Sequence, residues 1–377
     1  MKKLNTLGII FCSLINISCK KDNTTNDDTL YRAVQWMWQQ QSEDGGWHSK
    51  THAVLRDGKV FTPYILYHLL FVPEEIYTPD QNSIDRAADF IEREMMFSLN
   101  ADSTGLTDYP NYSAAYALLV LNFLDRDSLI RTTIANYLIS QQFNEHRGFT
   151  PDSLVYGGWG YGEPDLPLGV HGHVDISHTR RVIEALSETD LLTKEITDKV
   201  KHFIKGVQRD PDDTRRYAGC ISKIDIPYDG GLVASVVTMS TIKSEPVEIE
   251  SAGIHYPSYA TATCDGFLTM HAMGMQQSNS YVDAKNWLLK NQNIHTIDGL
   301  PEDDPEQWND IMHYYHMAVR AKAMSIIEPD GSWKTEIEEV LVKEQTPEGY
   351  YINPIGGVNK EDDPLMATIF CIQALTR

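Results

Sequence analysis

The sequence predicts an all-α fold in which an outer ring of helices encloses an inner ring. One observation is a unit of two helices that recurs about every 50 to 70 residues, which is typical of stacked supersecondary units. A second is that the two helices of a unit differ, because the first is amphipathic and the next is apolar nearly all round. A lone helix pair cannot bury its own apolar face, so we expect the units to stack with their apolar helices inside.

The N-terminus predicts an export signal rather than part of the fold. Lys2 and Lys3 precede an apolar run, residues 7–17, that is short for a membrane-spanning helix, and Ser18-Cys19 follows. A small residue directly before a cysteine at this place resembles a bacterial lipoprotein signal. The resemblance implies lipidation of Cys19 and anchoring in the bacterial cell envelope, facing the periplasm or the cell surface. An ordinary secretory peptide with a chance cysteine is the alternative.

The chain therefore divides into three parts. We assign residues 1–18 to the signal peptide, the polar residues 19–29 to a flexible tether and residues 30–377 to a single domain of helices.

Composition limits the partners of that domain. The 377 residues include 32 basic and 53 acidic side chains, a net charge of −21, and no basic stripe interrupts them. Neutralisation of phosphates dominates nucleic-acid binding, so the charge argues against a nucleic-acid partner. An anionic membrane surface would also repel the body of the protein, so we expect membrane contact through the N-terminal lipid only.

Twelve predicted helices alternate between the two classes. The amphipathic helices are placed at about 30–41, 84–96, 129–142, 193–207, 281–291 and 335–345. The apolar helices are placed at about 61–70, 109–124, 175–186, 256–274, 312–327 and 363–375. The stretch near 220–253 is rich in Val, Thr and Ile without a helical period, and it predicts a small β or loop insertion.

The turns between helices carry the most specific pattern. The clearest turns run from Gln41 to Trp47, Gln142 to Phe149, Gln292 to Leu300 and Gln345 to Tyr350. The turn from Gln41 to Trp47, Asp330-Gly-Ser-Trp333 and Gly157-Gly-Trp-Gly-Tyr-Gly162 resemble the glutamine–tryptophan repeats of squalene-hopene and oxidosqualene cyclases. Followed by Asp175-Ile-Ser-His-Thr179, that glycine-rich turn is also similar to bacterial prenyltransferase and squalene oxidase repeat proteins. The resemblance implies an α/α toroid of the terpenoid cyclase and protein prenyltransferase superfamily over residues 30–377.

The chain departs from the best-known chemistries of that superfamily. Squalene-hopene cyclases protonate their substrate with the middle aspartate of Asp-x-Asp-Asp-Thr, and here Ser177 takes that place. The same residue replaces the zinc-binding cysteine of protein prenyltransferases. The resemblance thus implies the scaffold more strongly than any one reaction, and we expect neither an organic cofactor nor a metal ion.

The inner helices of such a ring run parallel, so their N-termini converge on one mouth. Unpaired amides and the helix dipole favour polar or anionic ligand groups there. The expected ligand-binding residues are Asp108, Tyr112, His173, Arg180, His255, Tyr256, Tyr259, His313, Tyr315, Arg320 and Asp363.

Three residues are the catalytic candidates. Asp175 and His178 lie three apart at a helix start, so they could form an acid–base pair or two metal ligands. An ordinary N-cap at Asp175 is the alternative. His316 is the third candidate, as an imidazole able to move a proton near neutral pH; packing as an ordinary buried aromatic is its alternative.

Three kinds of function remain open at this point. A terpenoid or isoprenoid could bind in the ring cavity, either as a substrate or as a ligand. A cell-surface glycan could be bound, hydrolysed or cleaved by a lyase mechanism. A scaffold that binds another protein and catalyses nothing is the third. A cavity lined by Tyr, His, Arg and carboxylates would favour the glycan, and one lined by Trp, Phe, Leu and Met would favour the lipid.

Overall fold

A computed structural model describes residues 24–100, 109–162, 166–215, 228–237, 243–244, 247–249, 253–301, 303–304 and 306–377. The predicted signal peptide, the lipidation site Cys19 and Asp108 lie outside these residues, and the side chain of His255 lies outside them as well. The first helix begins at Thr24, inside the segment that the sequence assigned to the tether.

Six helices form a closed inner ring. They are α2 (Phe61–Leu69), α4 (Pro110–Phe123), α6 (Ile176–Glu188), α8 (Ala260–Ala272), α11 (His313–Ile327) and α13 (Pro364–Leu375). Each packs against the next, and α13 packs against α2. Their side chains are buried on nearly every face, as expected for helices that are covered on all sides.

Six amphipathic helices surround that ring. They are α1 (Thr24–Gln39), α3 (Gln81–Asn100), α5 (Ser128–Ser140), α7 (Lys194–Gln208), α9 (Asn279–Lys290) and α12 (Trp333–Glu344). The predicted all-α fold with two concentric rings is therefore confirmed. None of the helices in the described part of the chain is long and apolar enough to cross a membrane.

The remaining elements are short. Helix α10 covers Trp308–Ile311, and two 3-10 turns cover Ala53–Leu55 and Glu145–Arg147. Strand β1 (Trp159–Gly160) pairs antiparallel with β2 (Val174–Asp175), and β3 (Val247–Ile249) pairs antiparallel with β4 (Gly253–His255). The second pair confirms the small β insertion predicted near 220–253.

A glutamine at the end of an outer helix connects neighbouring units. Gln41 donates its side-chain amide to the carbonyl of Gly45 in its own turn, at 3.0 Å, and to the carbonyl of Ser83 at the next outer helix, at 2.8 Å. Gln142, Gln208 and Gln345 make the same pair of bonds in their own units. The second acceptor of Gln345 is the carbonyl of Thr29 in α1, at 2.8 Å, so the last unit bonds to the first.

The aromatic residue of the turn joins the two helices of its unit. The indole of Trp159 donates to the carbonyl of Leu138 in the preceding outer helix at 2.7 Å, while its backbone amide donates to the Thr179 hydroxyl of the following inner helix at 3.0 Å. Trp47 and Tyr351 make equivalent bonds. Glycine is required in this turn because Gly157 has φ +90°, and a Cβ there would overlap the carbonyl of Lys199.

Two of the predicted turns were wrong in detail. The residue that pairs with Gln142 is Trp159 rather than Phe149, because residues 144–156 form an inserted loop between them. Gln292 donates to Leu289 of its own helix rather than to a neighbouring unit. The fourth complete unit instead runs from Gln208 to Leu232, whose amide donates to Thr263 at 3.0 Å.

Candidate active site

The N-terminal ends of the six inner helices enclose a cavity of about 450 Å³. Every inner helix contributes side chains to its wall, among them Phe61, Tyr64, Tyr112, Ser177, His178, Asp265, Tyr315, Met366 and Phe370. This volume lies within the range of small-molecule sites, which is roughly 300–1,000 Å³.

Tyrosines dominate the wall. Six line the cavity: Tyr64, Tyr109, Tyr112, Tyr161, Tyr259 and Tyr315. The rings of Tyr64, Tyr109, Tyr112 and Tyr161 contact one another or nearby histidines. The ring of Tyr161, for example, stacks on His173 at 3.7 Å between centroids. The wall thus combines flat apolar faces with hydroxyl groups that can donate or accept hydrogen bonds.

Asp175 is positioned by local structure on both sides. Its backbone pairs with Trp159 in the β1–β2 ladder, and it then caps α6 by accepting the backbone amide of His178 at 2.7 Å. The close approach of the strands requires a glycine beside Trp159, because a Cβ on Gly160 would overlap the carbonyl of His173. The sequence thus folds so that a capping aspartate faces the cavity.

The Asp175 carboxylate holds two imidazoles. One oxygen lies 2.6 Å from Nε2 of His173, and Nδ1 of His178 lies 3.0 and 3.1 Å from the two oxygens. Burial by itself would raise the pKa of Asp175, but the charge of His178 and the hydrogen bonds from both histidines outweigh it and hold that pKa well below its usual range. Asp175 is therefore an anionic acceptor.

His178 presents an unused nitrogen. Because Nδ1 faces the carboxylate as a donor, Nε2 is the acceptor nitrogen whenever the imidazole is neutral. That Nε2 atom is buried and has no hydrogen-bond partner within the described part of the chain. The rings of Tyr109, Tyr112 and Tyr161 surround the imidazole on the cavity side. A buried acceptor without a partner is costly, and a ligand or an ordered water that donates to Nε2 would remove that cost.

His173, Asp175 and His178 also have the spacing of a metal site. The potential ligand atoms of His173, Asp175 and His178 all lie within 4.8 Å of one another. However, the carboxylate oxygens and two of the ring nitrogens are already joined by hydrogen bonds. A metal ion would have to separate these groups, so the arrangement fits an Asp–His pair better than a coordination site.

A second carboxyl group stands on another wall of the cavity. Asp265 on α8 is 3% exposed and accepts a hydrogen bond from the Tyr315 hydroxyl at 2.9 Å. Guanidinium nitrogens of Arg180 and Arg181 lie 3.1 and 3.4 Å from its other oxygen. Burial raises the pKa of Asp265 to about 7, although Arg181 and the Tyr315 hydroxyl act in the opposite direction.

Two lysines also line the cavity, in a protein that is strongly acidic as a whole. Lys360 donates to the Tyr109 hydroxyl at 2.9 Å, and the ammonium of Lys243 lies 5.1 Å from the centre of the Trp308 ring. Burial lowers the pKa of Lys243, while Asp175 and Asp265 raise it. Lys243 therefore stands within electrostatic reach of both carboxyl groups.

The structure brings six of the predicted site residues to this cavity: Tyr112, His173, Asp175, His178, Tyr259 and Tyr315. Six other predicted residues do not line it: Arg180, Tyr256, His313, His316, Arg320 and Asp363.

Local contacts explain why those side chains lie elsewhere. His316 points to the outer layer, where its Nε2 lies 2.9 Å from the carbonyl of Asn293, and burial lowers its pKa to about 3. Arg320 bonds to the carbonyl of Asn291 beside it, and His313 lies 2.9 Å from Glu344 of α12. His316 therefore does not line the cavity in which it was expected to act.

The others have structural partners. Asp363 caps α13 by accepting the amide of Leu365 at 2.9 Å, and the hydroxyl of Ser49 also donates to it. Arg180 is buried beside Asp265, and Tyr256 accepts a bond from Arg209 through its carbonyl.

Sequence reasoning missed Asp265, Lys243 and Lys360. The available signal for Asp265 was that it is the one carboxylate of the inner helix Ala260–Ala272, since an aspartate is seldom fully buried unless it is paired. The lysines lie in connecting segments that carry no periodic pattern.

Comparison with known proteins identifies proteins with a similar fold and no closer relative. No protein family matches the chain, and no curated protein matches it. Among solved structures, the type II terpene cyclase MstE from Scytonema, crystallised with geranylgeranyl dihydroxybenzoate, is similar with a TM-score of 0.55 and 12% identity over 94% of this chain and 97% of that chain.

Two carbohydrate-active enzymes are similar to nearly the same degree. The GH76A α-1,6-mannanase from Salegentibacter sp. HEL1_6 gives a TM-score of 0.54 and 8% identity over 93% of this chain and 98% of that chain. An unsaturated glucuronyl hydrolase from Streptococcus agalactiae gives 0.51 and 10% identity, with 97% of each chain covered. At these identities the likeness establishes the fold alone, and it confirms the α/α toroid.

Proposed function

We propose that this protein is an acid–base enzyme that binds its substrate in the central cavity, with His178 as the general base. The observation that carries the proposal is the unpartnered Nε2 of His178, whose opposite nitrogen is held by Asp175. A carboxylate that orients an imidazole and stabilises its charged form is a recurring way to activate a base. The geometry leaves the reactive nitrogen facing the tyrosine-lined space.

The substrate class that best fits the wall is a glycan. Sugar rings present an apolar face and a rim of hydroxyl groups, and the cavity offers tyrosine rings beside hydroxyl, carboxyl and ammonium groups. By number, 15 of the 25 residues that line the cavity carry a polar or titratable group, among them the tyrosines, histidines and carboxylates expected for a glycan site. Hydrolysis or a lyase reaction would both use a base such as His178. Similarity in fold to a mannanase and a glucuronyl hydrolase is consistent with this class.

An isoprenoid ligand is the second candidate, and one observation favours it. Phe61, Trp308, Met312, Met366 and Phe370 form an apolar part of the wall that a hydrocarbon chain could contact. The fold is also that of a cyclase crystallised with a geranylgeranyl compound. Ser177 stands against cyclisation by the squalene-hopene route, because a serine hydroxyl is too weak an acid to protonate an alkene.

We also propose that the enzyme is held in the bacterial cell envelope by a lipid on Cys19. The support is the sequence of the N-terminus, with an apolar run that ends in Ser18-Cys19. A glycan substrate fits such a location, since envelope and extracellular polysaccharides are within reach of a tethered enzyme.

The test of the activity is a panel of neutral and uronic-acid oligosaccharides, incubated with the full mature chain and analysed by mass spectrometry for cleaved products. We expect cleavage of at least one member, and loss of about 100-fold or more of the rate in His178→Ala. The matched control is His295→Ala, because His295 is exposed on a loop, and it should keep the full rate.

Native mass spectrometry of the protein from its own envelope distinguishes the candidates. A bound oligosaccharide supports the glycan assignment, whereas a bound isoprenoid replaces it with the second candidate. Nothing bound, together with no product from any oligosaccharide, would contradict an enzymatic role and favour a protein-binding scaffold.

A further inference from the structure

A chain of three polar groups crosses the cavity wall. The Tyr315 hydroxyl lies 2.9 Å from a carboxyl oxygen of Asp265 and 3.2 Å from the hydroxyl oxygen of Ser177. The three residues come from three inner helices, α11, α8 and α6, and all of them line the cavity. Ser177 is adjacent in sequence to His178, so this row of hydrogen-bonded groups ends beside the proposed base.

The direction of these hydrogen bonds depends on one proton. A tyrosine hydroxyl has a single hydrogen to donate. When Asp265 is ionised, Tyr315 must donate to it, and its proton is turned away from any ligand. When Asp265 is protonated, its carboxyl group donates to the Tyr315 hydroxyl. That hydroxyl can then donate its own hydrogen bond to Ser177 or to a bound molecule.

The surroundings of Asp265 hold these two states close in free energy. The charged or titratable groups around it on the neighbouring elements are Arg180, Arg181, Glu184, Asp175, Lys243, Tyr259 and Tyr315. Burial and the two acidic neighbours favour the protonated form, whereas the guanidinium groups favour the carboxylate. Burial is the largest of these influences and outweighs the guanidinium groups, so the pKa of Asp265 is raised to about 7. A group in that condition can both hold and release a proton near neutral pH.

We infer that Tyr315 is the general acid of this site and that Asp265 is the residue that replenishes its proton. In the transfer, the O–H bond of Tyr315 breaks as an O–H bond forms on an oxygen of the substrate. The O–H bond of Asp265 breaks as that of Tyr315 forms again. One proton thus leaves Asp265 and one arrives on the substrate, and the carboxylate that remains faces Arg180 and Arg181.

This inference rests on the proposed function, because an acid needs a substrate to protonate. It assigns the two proton transfers to different walls of the cavity, with the acceptor His178 on α6 and the donor Tyr315 on α11. Tyr315 is the catalytic residue of the pair, whereas Asp265 acts through it and is a positioning residue.

The first test does not need a substrate. Carbon-13 NMR of the full mature chain, labelled at the aspartate carboxyl carbon, gives the titration of Asp265, which is identified as the resonance lost in Asp265→Asn. We expect titration near neutral pH, shifted in Tyr315→Phe, which removes the hydroxyl but keeps the ring packed against Phe370. An Asp265 that titrates with the ordinary aspartates, at about pH 4, would overturn the inference because it would hold no proton to give.

The second test uses an oligosaccharide that the enzyme cleaves. Tyr315→Phe should lower kcat by about 100-fold or more with little change in KM, since proton transfer contributes roughly that much. The rate of the wild type is expected to fall above about pH 7, and Asp265→Asn should abolish that fall. A substrate with an aryl leaving group, which needs no proton, should restore the rate of both variants. Full kcat in Tyr315→Phe would overturn the inference.

The two tests separate this inference from the proposed function. If no oligosaccharide is cleaved but Asp265 titrates near neutral pH, the enzymatic proposal fails together with the role of Tyr315 as an acid, and only the proton held at Asp265 is supported. If cleavage depends on His178 while Asp265 is always ionised, the enzymatic proposal stands and Tyr315 is not the acid.

Discussion

Replacement of Asp175 tests the central unit of the site through stability, without any knowledge of the substrate. Asp175→Ala removes the cap of α6, which contributes about 1 kcal/mol. It also leaves two imidazoles without their buried acceptor, at a cost of about 3–5 kcal/mol for breaking a buried charged pair. Against a typical stability of about 5–15 kcal/mol, such a loss is large. Asp175→Asn should retain the cap and lose only the second contribution.

The measurement is denaturant unfolding at pH 7, followed by circular dichroism. Asp127 supplies the matched control, because it caps α5 in the same manner at an exposed site, accepting the amides of Leu129 and Ile130. Asp127→Ala should therefore cost only the cap, about 1 kcal/mol. Equal losses in Asp175→Ala and Asp127→Ala would refute the argument, since the imidazoles would then contribute nothing.

The depressed pKa of Asp175 also predicts the direction of a pH effect. A carboxyl group whose pKa is lower in the folded than in the unfolded state stabilises the fold above its unfolded value and loses that effect as the pH falls. The stability difference between wild type and Asp175→Asn should accordingly shrink in acid, below about pH 4.

Three further predictions concern other parts of the chain. Gly160→Ala should destabilise the protein by at least about 2 kcal/mol in the same unfolding assay, because its Cβ would overlap the carbonyl of His173. Gly206→Ala should cost much less, because Gly206 is also buried but its Cβ would closely approach only the end of the Arg215 side chain, at 3.3 Å. The pH dependence of stability that arises from Asp265 is opposite to that from Asp175, because the raised pKa of Asp265 stabilises the fold at low pH. The wild type should therefore lose stability relative to Asp265→Asn as the pH rises from about 4 to 7. Cys19→Ala should move the protein from the membrane fraction to the soluble fraction of its native host; a variant that stays in the membrane fraction would show that Cys19 is not the anchor.

The helices and their ring were predictable because they depend on patterns that the sequence displays. Alternating amphipathic and apolar segments, with Gln and Gly at the turns, were enough to identify all twelve helices; eleven were placed to within about four residues at each end, whereas α1 begins six residues earlier than predicted. The exact unit boundaries were less accessible. The loop of residues 144–156 separates Gln142 from Trp159, and no local rule reveals that an aromatic residue seventeen positions away completes the turn.

The site was predictable only in part, and for a physical reason. Asp175 and His178 were found because capping chemistry and close spacing are visible in the sequence. On α11, by contrast, Tyr315 faces the cavity while His313 and His316 face outward. That helix is buried nearly all round, so no apolar stripe indicates which side is turned to the axis. Rotation of such a helix is set by packing in three dimensions.

The bond from Gln345 to Thr29 has a consequence for how this architecture can change over evolutionary time. An open solenoid can lengthen by copying one repeat, because its end units have only one neighbour. Here every unit has two neighbours, so an added or deleted repeat would alter the circumference and break the contact that joins the two termini. Diversity in such a protein is expected to accumulate by growth of connecting loops, as between Gln142 and Trp159, while the number of repeats stays at six.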